Sequence, residues 1–335
     1  MIFGAVPTAT AQGTILAHSL RLGPDRLAKG THLSAEHVAR LQAAGVQEVT
    51  VARLEPGDIE ENAAAAQLAQ ALAPDPAALG VRITGAGAGR VNLYATGPGI
   101  VRIDAARIGA LNAIDPMITL ATLADATRVD PGTMLGTIKI ISYAVSQASL
   151  DNACADVAGA IGIDRPRFAS ATLIETHVPE TEHGPKGRAA MQERLSRLDV
   201  DLTPPVHVAH CSAALAEAIA AAPGAVVFIL TASATSDIAD VAPAALRAAG
   251  GQVEAFGMPV DPGNLLFFGW LGAKPVIGLP GCARSPALNG ADWVTERLIC
   301  GRDVTQADIS AMGAGGLLKE IPTRPRPRRE RPART

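Results

Sequence analysis

Residues Ala225-Val-Val-Phe-Ile-Leu230 form a continuous apolar run, and Thr231-Ala-Ser-Ala-Thr-Ser-Asp237-Ile-Ala-Asp240 follows it directly. Such a run is typical of a central strand in a parallel sheet, because helices cover both faces of that strand. The segment after it is rich in small residues and hydroxyls, and it leads into a predicted helix over residues 240–249. A strand, a loop and a helix in this order form the repeating unit of an α/β fold.

The same alternation continues on both sides of the apolar run. Periodicity predicts further strands at residues 168–175, 206–209, 253–256 and 275–279, and helices at 186–198, 213–222 and 286–300. Pro286 would then occupy the first turn of the last helix, where proline is tolerated. We therefore expect a parallel, doubly wound sheet in the second half of the chain.

The first half has weaker patterns and predicts an α+β domain. Ser34 is placed to cap a helix that buries Val38 and Leu41. Further helices are expected at residues 60–72 and 151–161, and strands at 46–51, 81–84, 100–103 and 134–141. The stretch Gly162-Ile-Asp-Arg-Pro166 predicts a boundary between domains at 1–165 and 166–321, with an Arg/Pro-rich tail at 322–335.

Composition excludes several classes of protein. Of the 335 residues 48% are hydrophobic, which is enough to bury a sizeable core, and only 3% are aromatic, which argues against base-stacking nucleic-acid modules. The net charge is −3, but six Arg and one Glu in residues 324–335 leave the remaining body at −8. An acidic body is not typical of a nucleic-acid-binding surface, so we expect no nucleic-acid partner.

Cysteine spacing and hydropathy predict the cellular location. The four cysteines lie far apart with no C-x-x-C pair, so neither a disulfide framework nor a structural zinc site is expected. No basic segment precedes the apolar residues at the N-terminus, and no apolar run approaches the ~18 residues of a membrane span. We therefore expect a cytoplasmic protein that does not contact a membrane.

Two loops are candidates for ligand binding, because ligands of open parallel sheets bind at the carboxyl ends of the strands. The first is residues 231–240, where Asp240 could instead serve only as a helix cap. The second is Pro280-Gly-Cys-Ala-Arg-Ser285, whose backbone, Arg284 and Ser285 could hold a phosphate or form an ordinary turn. A Pro-Gly turn, Asp261-Pro-Gly-Asn264, lies between them in sequence.

Other motifs favour no function. Gly85-Ala-Gly-Ala-Gly-Arg90 departs from the dinucleotide-binding pattern, because Arg90 stands at the last glycine position. Neither a phosphate-binding P-loop nor a G-x-S-x-G nucleophile motif occurs. Residues 177–183 and 207–211 contain histidines and a cysteine, but at no established metal-ligand spacing, so no metal site is expected.

In the sequences of these loops, the second half of the chain resembles the molybdopterin-binding domain shared by molybdopterin adenylyltransferase and molybdopterin molybdenumtransferase. The matching segments are Leu230-Thr-Ala-Ser-Ala-Thr235 with Asp240, Val260-Asp-Pro-Gly263, and Gly278-Leu-Pro-Gly-Cys-Ala-Arg-Ser285, in the family's order. The first half resembles non-catalytic segments of the molybdenumtransferase. The whole chain looks most like molybdopterin-binding proteins, some of which are fused to a cytidylyltransferase domain.

The resemblance implies a site for an anionic pterin and a small set of contact residues. The implied ligand contacts are Thr231, Ala232, Ser233, Thr235, Ser236, Pro262, Gly263, Pro280, Gly281, Cys282, Arg284 and Ser285. Asp237 and Asp240 are the implied catalytic carboxylates. The resemblance also implies a homo-oligomer, with a nucleotidyltransferase or a molybdoenzyme as partner.

Departures from the family pattern leave several functions open. Ala232 and Ser233 replace paired glycines, Cys282 and Ala283 replace an Asn-Pro pair, and acidic residues expected near 210–211 are absent. The resemblance therefore implies binding or delivery of molybdopterin or molybdenum cofactor more strongly than it implies catalysis. The alternatives are a transferase of cofactor maturation that binds Mg or molybdate through Asp237 and Asp240, a related enzyme acting on pyridine nucleotides, and an interaction module that uses the Arg/Pro tail.

Overall fold

The computed structural model describes residues 1–179 and 185–318, which form two compact units. The first unit contains residues Met1–Gly97 and Val101–Ile163, and the second contains Pro98–Ile100 and the described residues from Asp164 onward. The expected Arg/Pro tail at 322–335 lies outside the described residues. That the first unit corresponds to parts of the molybdenumtransferase stays a prediction.

The first unit is built from short, mostly antiparallel sheets and four α-helices. Its strands are β1 (Ile2–Pro7), β2 (Ile15–Leu16), β3 (Leu20–Leu22), β4 (Asp25–Leu27), β5 (Glu48–Arg53), β6 (Asp58–Glu60), β7 (Val81–Ile83), β8 (Arg90–Ala95), β9 (Gly99–Ile103), β10 (Ile118–Thr122), β11 (Arg128–Val129), β12 (Met134–Ile140), β13 (Ala144–Ser146) and β14 (Ile161–Asp164). Its helices are α1 (Ala35–Ala43), α2 (Glu61–Leu72), α3 (Ala105–Asn112) and α4 (Gln147–Cys154). The sheets have the orders β1-β5-β2, β10-β12-β8-β7, β11-β9-β14, β13-β6 and β3-β4.

Amphipathic helices close two separate cores in this unit. Val38 and Leu41 of α1 pack with Leu16, Val49 and Val51 of the first sheet. Ser34 caps α1 through its hydroxyl, as the sequence predicted. The second core joins the apolar face of α2 to the β10-β12-β8-β7 sheet. Antiparallel sheets with packed helices confirm the expected α+β architecture.

The second unit is a seven-stranded mixed sheet with a parallel centre. Its strands are β15 (Ser170–His177), β16 (Asp201–Leu202), β17 (Val206–Ala209), β18 (Val226–Leu230), β19 (Gln252–Phe256), β20 (Phe267–Leu271) and β21 (Lys274–Gly278). Their order is β16-β15-β18-β21-β20-β19, with β17 also paired to β15. Strands β16, β15, β17, β18 and β21 run parallel, which confirms the expected α/β class.

Helices cover both faces of this sheet. They are α5 (Lys186–Ser196), α6 (Ser212–Ala221), α7 (Val241–Ala248), α8 (Gly290–Ile299) and α9 (Gln306–Ala311). On one face, Ile174, Val227 and Ile229 pack against α6 and α7. The alternate side chains Leu173, Phe228 and Ile277 point to the other face and are also fully buried. The apolar run 225–230 is therefore buried on both sides, as its sequence predicted.

Several sequence predictions for helices and strands are wrong or incomplete, and strands β1, β8 and β10 of the first unit were not predicted. The last helix begins at Gly290 rather than Pro286, because Asn289 and Asp292 form a capping box there. The helix expected at 151–161 is α4, which begins at Gln147 behind its cap Ser146 and ends at Cys154. Strand β20 was not expected, and it runs antiparallel to both of its neighbours, β19 and β21.

Candidate functional site

The candidate site lies at the carboxyl edge of the parallel strands in the second unit. Since β15, β17, β18 and β21 are mutually parallel, the segments that follow them leave the sheet at the same edge. Loop 231–240 follows β18, and segment 279–289 follows β21. The pairing of Ile229 with Gly278 makes these two exits direct neighbours.

Loop 231–240 begins with a turn held by hydroxyl groups. The buried Thr231 donates its Oγ1 proton to the carbonyl of Ser233 at 2.6 Å, and its Oγ1 lies 3.4 Å from that of Thr235. The amide of Ala232 donates to Thr176 Oγ1 at 2.9 Å. The next three amides, those of residues 233–235, donate no hydrogen bond to another described residue. Successive amides of this kind are suited to binding an anion.

His210 ties this loop to the neighbouring strands. Its Nδ1 lies 2.9 Å from Thr176 Oγ1, and its Nε2 lies 2.8 Å from Ser233 Oγ. With both ring nitrogens engaged, His210 fixes the orientation of the exposed Ser233 hydroxyl. Sequence analysis assigned no role to Thr176 and placed His210 only among unassigned metal-ligand types, because the contact joins residues from three separate strand ends.

The two predicted carboxylates of this loop act on the backbone. Asp240 caps α7, with Oδ1 accepting from the amide of Val241 at 2.7 Å and Oδ2 from that of Ser236 at 3.1 Å. Asp237 accepts from the amide of Ala239 at 2.7 Å and is exposed. The alternative that Asp240 serves as a helix cap is therefore realised. A catalytic role for either carboxylate stays a prediction.

The second predicted loop reaches the first through Arg284. Residues Gly281–Arg284 form a 3-10 turn after Pro280, and Arg284 Nη2 donates to the carbonyl of Thr231 at 2.8 Å. The remaining guanidinium nitrogens of Arg284 have no hydrogen-bond partner among the described residues, and neither does the amide of Gly281. Cys282 and Ser285, also predicted contacts, lie in or next to this turn and are half-buried.

A second arginine holds the backbone of this segment in place. Arg194 of α5 donates to the carbonyls of Ala283, Ser285 and Ala287 at 2.7 to 3.0 Å. Its Nε also pairs with Asp292 of α8, and the two side chains are only 14% and 9% exposed. Arg194 therefore sets the path of the turn that carries Arg284 and Ser285. No sequence motif indicates this contact, because Arg194 and Asp292 lie 98 residues apart.

The Pro-Gly turn packs against the start of α8. The carbonyl of Pro262 accepts from the amide of Gly290 at 2.8 Å, and a Cβ on Gly263 would lie 2.6 Å from that nitrogen. Gly263 has a φ of +142°, which favours glycine. The structure thus joins Pro262 and Gly263 to the far end of segment 279–289, and no hydrogen bond joins them to loop 231–240 among the described residues.

Glu175 is a buried carboxylate at the same edge that sequence reasoning missed. It lies next to Leu230 in the strand register and is 8% exposed. Its carboxylate has no hydrogen bond or ion pair with another described residue. A Cβ on Gly187 would lie 2.9 Å from Glu175 Oε1 and 3.6 Å from Arg284 Cγ, so both side chains surround that glycine. Sequence analysis missed Glu175 because it lies in a strand that is buried along most of its length, where an apolar residue would be expected.

Within residues 1–179 and 185–318, no three His, Cys, Asp or Glu side chains gather closely enough to bind a metal ion. None of the helices in those ranges combines the length and apolar character that crossing a lipid bilayer requires.

Comparison with known proteins adds little to this description. Residues 5–53 match the model of a domain of unknown function, DUF8806, and no curated protein sequence matches the chain. A molybdopterin biosynthesis MoeA protein from Pyrococcus horikosii aligns at 16% identity and a TM-score of 0.30, over 89% of this chain and 75% of that one. A molybdenum cofactor biosynthesis protein from Pyrococcus furiosus aligns at 11% identity and a TM-score of 0.21, over 89% of this chain and 61% of that one.

The chain thus spans less than two thirds of the length of the second of these proteins. At such TM-scores neither alignment establishes a shared fold. The function is therefore argued from the residues of the chain itself.

Proposed function

We propose that the second unit binds molybdopterin or molybdenum cofactor, holding the anionic pterin between loop 231–240 and residues 280–285. The observation that carries the proposal is the bond from Arg284 to the carbonyl of Thr231. It brings the two predicted loops together and leaves the rest of the guanidinium available to a ligand. The order and spacing of the three sequence motifs support the choice of pterin.

The unpaired donors would bind the phosphate of the ligand. The amides of residues 233–235 and of Gly281 and the guanidinium of Arg284 supply N–H groups and a positive charge. Hydrogen bonds between such groups and a phosphate are about twice as strong as neutral ones. Ala232 and Ser233, which replace the family's glycines, leave this backbone available: the Ser233 hydroxyl contacts His210, and the amides of residues 233–235 donate to no other described residue.

Polar groups on either side would hold the pterin ring. Ser233, oriented by His210, presents a hydroxyl to the solvent side of the loop. Glu175, buried and unpaired among the described residues, would accept hydrogen bonds from ring N–H groups. The Glu175 carboxylate has no hydrogen-bond partner among the described residues, so its oxygens keep acceptor capacity for a ligand that donates to them.

The carboxylate geometry favours binding or delivery over catalysis. Both oxygens of Asp240 already accept backbone amides, which leaves Asp237 as the exposed carboxylate for a Mg ion or molybdate. Transfer of an adenylyl group or insertion of molybdate remains the second candidate, and a reaction on pyridine nucleotides the third. A homo-oligomer, a partner nucleotidyltransferase or molybdoenzyme, and a cytoplasmic location stay predictions.

The test is anaerobic purification from a host that makes the cofactor. Native mass spectrometry and fluorescence of the oxidised pterin should detect molybdopterin on the wild-type protein. Arg284→Gln should reduce its retention at least tenfold, whereas Arg82→Gln, which alters an exposed arginine of the first unit, should not. Absence of pterin from the wild type, both after purification and after anaerobic titration, would refute the proposal.

Product formation from molybdopterin, and the identity of the bound ligand, distinguish the three candidate functions. A binding protein would return molybdopterin unchanged after incubation with ATP and Mg or with molybdate. Formation of an adenylylated or metallated product would instead assign the second function. Retention of a pyridine nucleotide in place of pterin would assign the third.

A further inference from the structure

A cavity of about 490 Å³ lies within the first unit, and every residue that lines it belongs to that unit. Its volume is within the range of about 300–1,000 Å³ that small-molecule sites occupy. Three parts of the unit form its walls: residues 29–32 before α1, residues 60–62 at the start of α2, and residues 139–143 after β12. The cavity is thus shaped by segments far apart in sequence.

Hydrogen bonds between these segments fix the walls. The amide of Gly30 donates to the carbonyl of Leu16 at 2.7 Å, and Gly30 has a φ of +80°. The amide of Glu61 donates to the carbonyl of Tyr143 at 3.0 Å, and the Tyr143 hydroxyl donates to the carbonyl of Ala17 at 2.8 Å. The site is therefore preformed, which lowers the entropic cost of binding.

A tight hairpin forms one corner of the cavity. Ala88 and Gly89 both have positive φ, at 49° and 67°, as a two-residue type I′ turn requires. Lys139 Nζ donates to the carbonyl of Ala88 at 2.6 Å, and Asn62 Oδ1 accepts from the amide of Gly89 at 2.9 Å. A Cβ on Gly89 would lie 2.5 Å from Glu61 Oε2, so the turn closes directly on the cavity's charged groups.

The carboxylates in the cavity are already compensated. Glu60 caps α2, with Oε2 accepting from the amide of Asn62 at 3.0 Å and Oε1 from the Asn62 side chain at 2.9 Å. Glu61 Oε2 lies 3.4 Å from Lys139 Nζ. The positive end of the α2 dipole further offsets the charge of Glu60.

Two basic side chains of the cavity lining have no partner of this kind. The Lys29 ammonium and the His32 ring line the cavity, and neither has a hydrogen bond or ion pair with another described residue. Both lie on the segment that Gly30 anchors, so their backbone positions are fixed. Over the whole lining two lysines balance two glutamates, but the wall formed by residues 29–32 carries only basic charged side chains, which favours an anionic group there.

We propose that this cavity binds a small anionic molecule, whose phosphate or carboxylate group contacts Lys29 and His32. Glu61, which also lines the cavity, keeps acceptor capacity beyond its bond to Lys139 and would receive a donor group of the same molecule. The site is independent of the pterin site, because every residue that lines it belongs to the first unit.

Calorimetric titration of the full chain with inorganic pyrophosphate and with citrate tests the proposal. At least one of the two should bind saturably in the millimolar range or tighter, and the stronger one identifies phosphate or carboxylate as the preferred group. Lys29→Gln and His32→Gln should each weaken binding about tenfold, which corresponds to 1.4 kcal/mol. Arg21→Gln removes an exposed cation of β3 that does not line the cavity, and it should leave the affinity unchanged.

A second measurement locates the anion. The ring signals of His32 in a proton–carbon NMR spectrum, assigned with His32→Gln, should shift on titration in the wild type and not in Lys29→Gln. No saturable binding of either anion, or binding that Lys29→Gln and Arg21→Gln weaken equally, would overturn the proposal. Arg284→Gln, which removes the phosphate-binding guanidinium of the proposed pterin site, should retain the part of the anion binding that Lys29→Gln weakens.

Discussion

Replacing Arg194 should destabilise the second unit and release the turn that carries Arg284. Arg194→Met removes the partner of Asp292, whose side chain is 9% exposed, together with donors to the carbonyls of Ala283, Ser285 and Ala287. Leaving a buried charge without its partner costs about 3–5 kcal/mol. That is a large part of the roughly 5–15 kcal/mol by which a domain is usually stable.

Urea unfolding followed by tryptophan fluorescence measures the loss in free energy of unfolding of the second unit. The two tryptophans, Trp270 and Trp293, both belong to the second unit, so the emission reports on that unit alone. Arg247→Met is the matched control, since Arg247 is exposed and its guanidinium donates to one carbonyl, that of Ile238. It should cost no more than about 1 kcal/mol. A loss below about 1 kcal/mol for Arg194→Met, or one equal to the control, would refute the role given to Arg194.

Three further predictions test the site and its surroundings. Gly187→Ala should weaken pterin binding severalfold with little change in fold, because its Cβ would displace Glu175 Oε1; pterin fluorescence titration measures this. His210→Gln should speed exchange of the Ala232 amide, since that amide donates to Thr176 Oγ1, which the imidazole contacts, while exchange in α7 stays unchanged. At pH 8 a thiol reagent should modify the exposed Cys211 quickly and leave Cys300 unmodified until the protein unfolds, because burial raises the pKa of Cys300 from 9.0 to about 12.

The pKa of Cys300 also fixes the sign of a pH effect on stability. Between pH 9 and about 12 the native thiol keeps a proton that the unfolded chain releases. The free energy of unfolding should therefore fall as the pH rises through this window and be unaffected by Cys300 below it. Cys300→Ala should reduce this slope in urea titrations. An unchanged slope would contradict the assignment.

The parallel centre of the second unit could be predicted because its signal is local. Strand β17 was placed at both ends, and the run 225–230 contains β18, since burial on both faces leaves an unbroken apolar sequence. Strand β20 was missed because Gly269 interrupts its pattern and Trp270 lies near a turn. The start of α8 was placed too early because Pro286 was given the role that Asn289 holds through its bond with Asp292.

The site was only partly predictable, because its loops follow from local patterns but its contacts are long-range. Loop positions follow from strand ends, so residues 231–240 and 280–285 could be found from the sequence. The contacts that join them could not, because Arg284 meets Thr231 and His210 meets Ser233 across long stretches of chain. Nor could the sequence show which backbone amides stay unpaired, since that depends on the final path of the turn.

Amide hydrogen exchange with and without molybdopterin tests most directly whether both loops bind one ligand. Added pterin should slow exchange of amides in residues 232–236 and in residues 281–285 together, with the same dependence on ligand concentration. Arg284→Gln should reduce both effects in parallel. Protection of only one loop, or of neither at saturating pterin, would contradict a shared site at the carboxyl ends of β18 and β21.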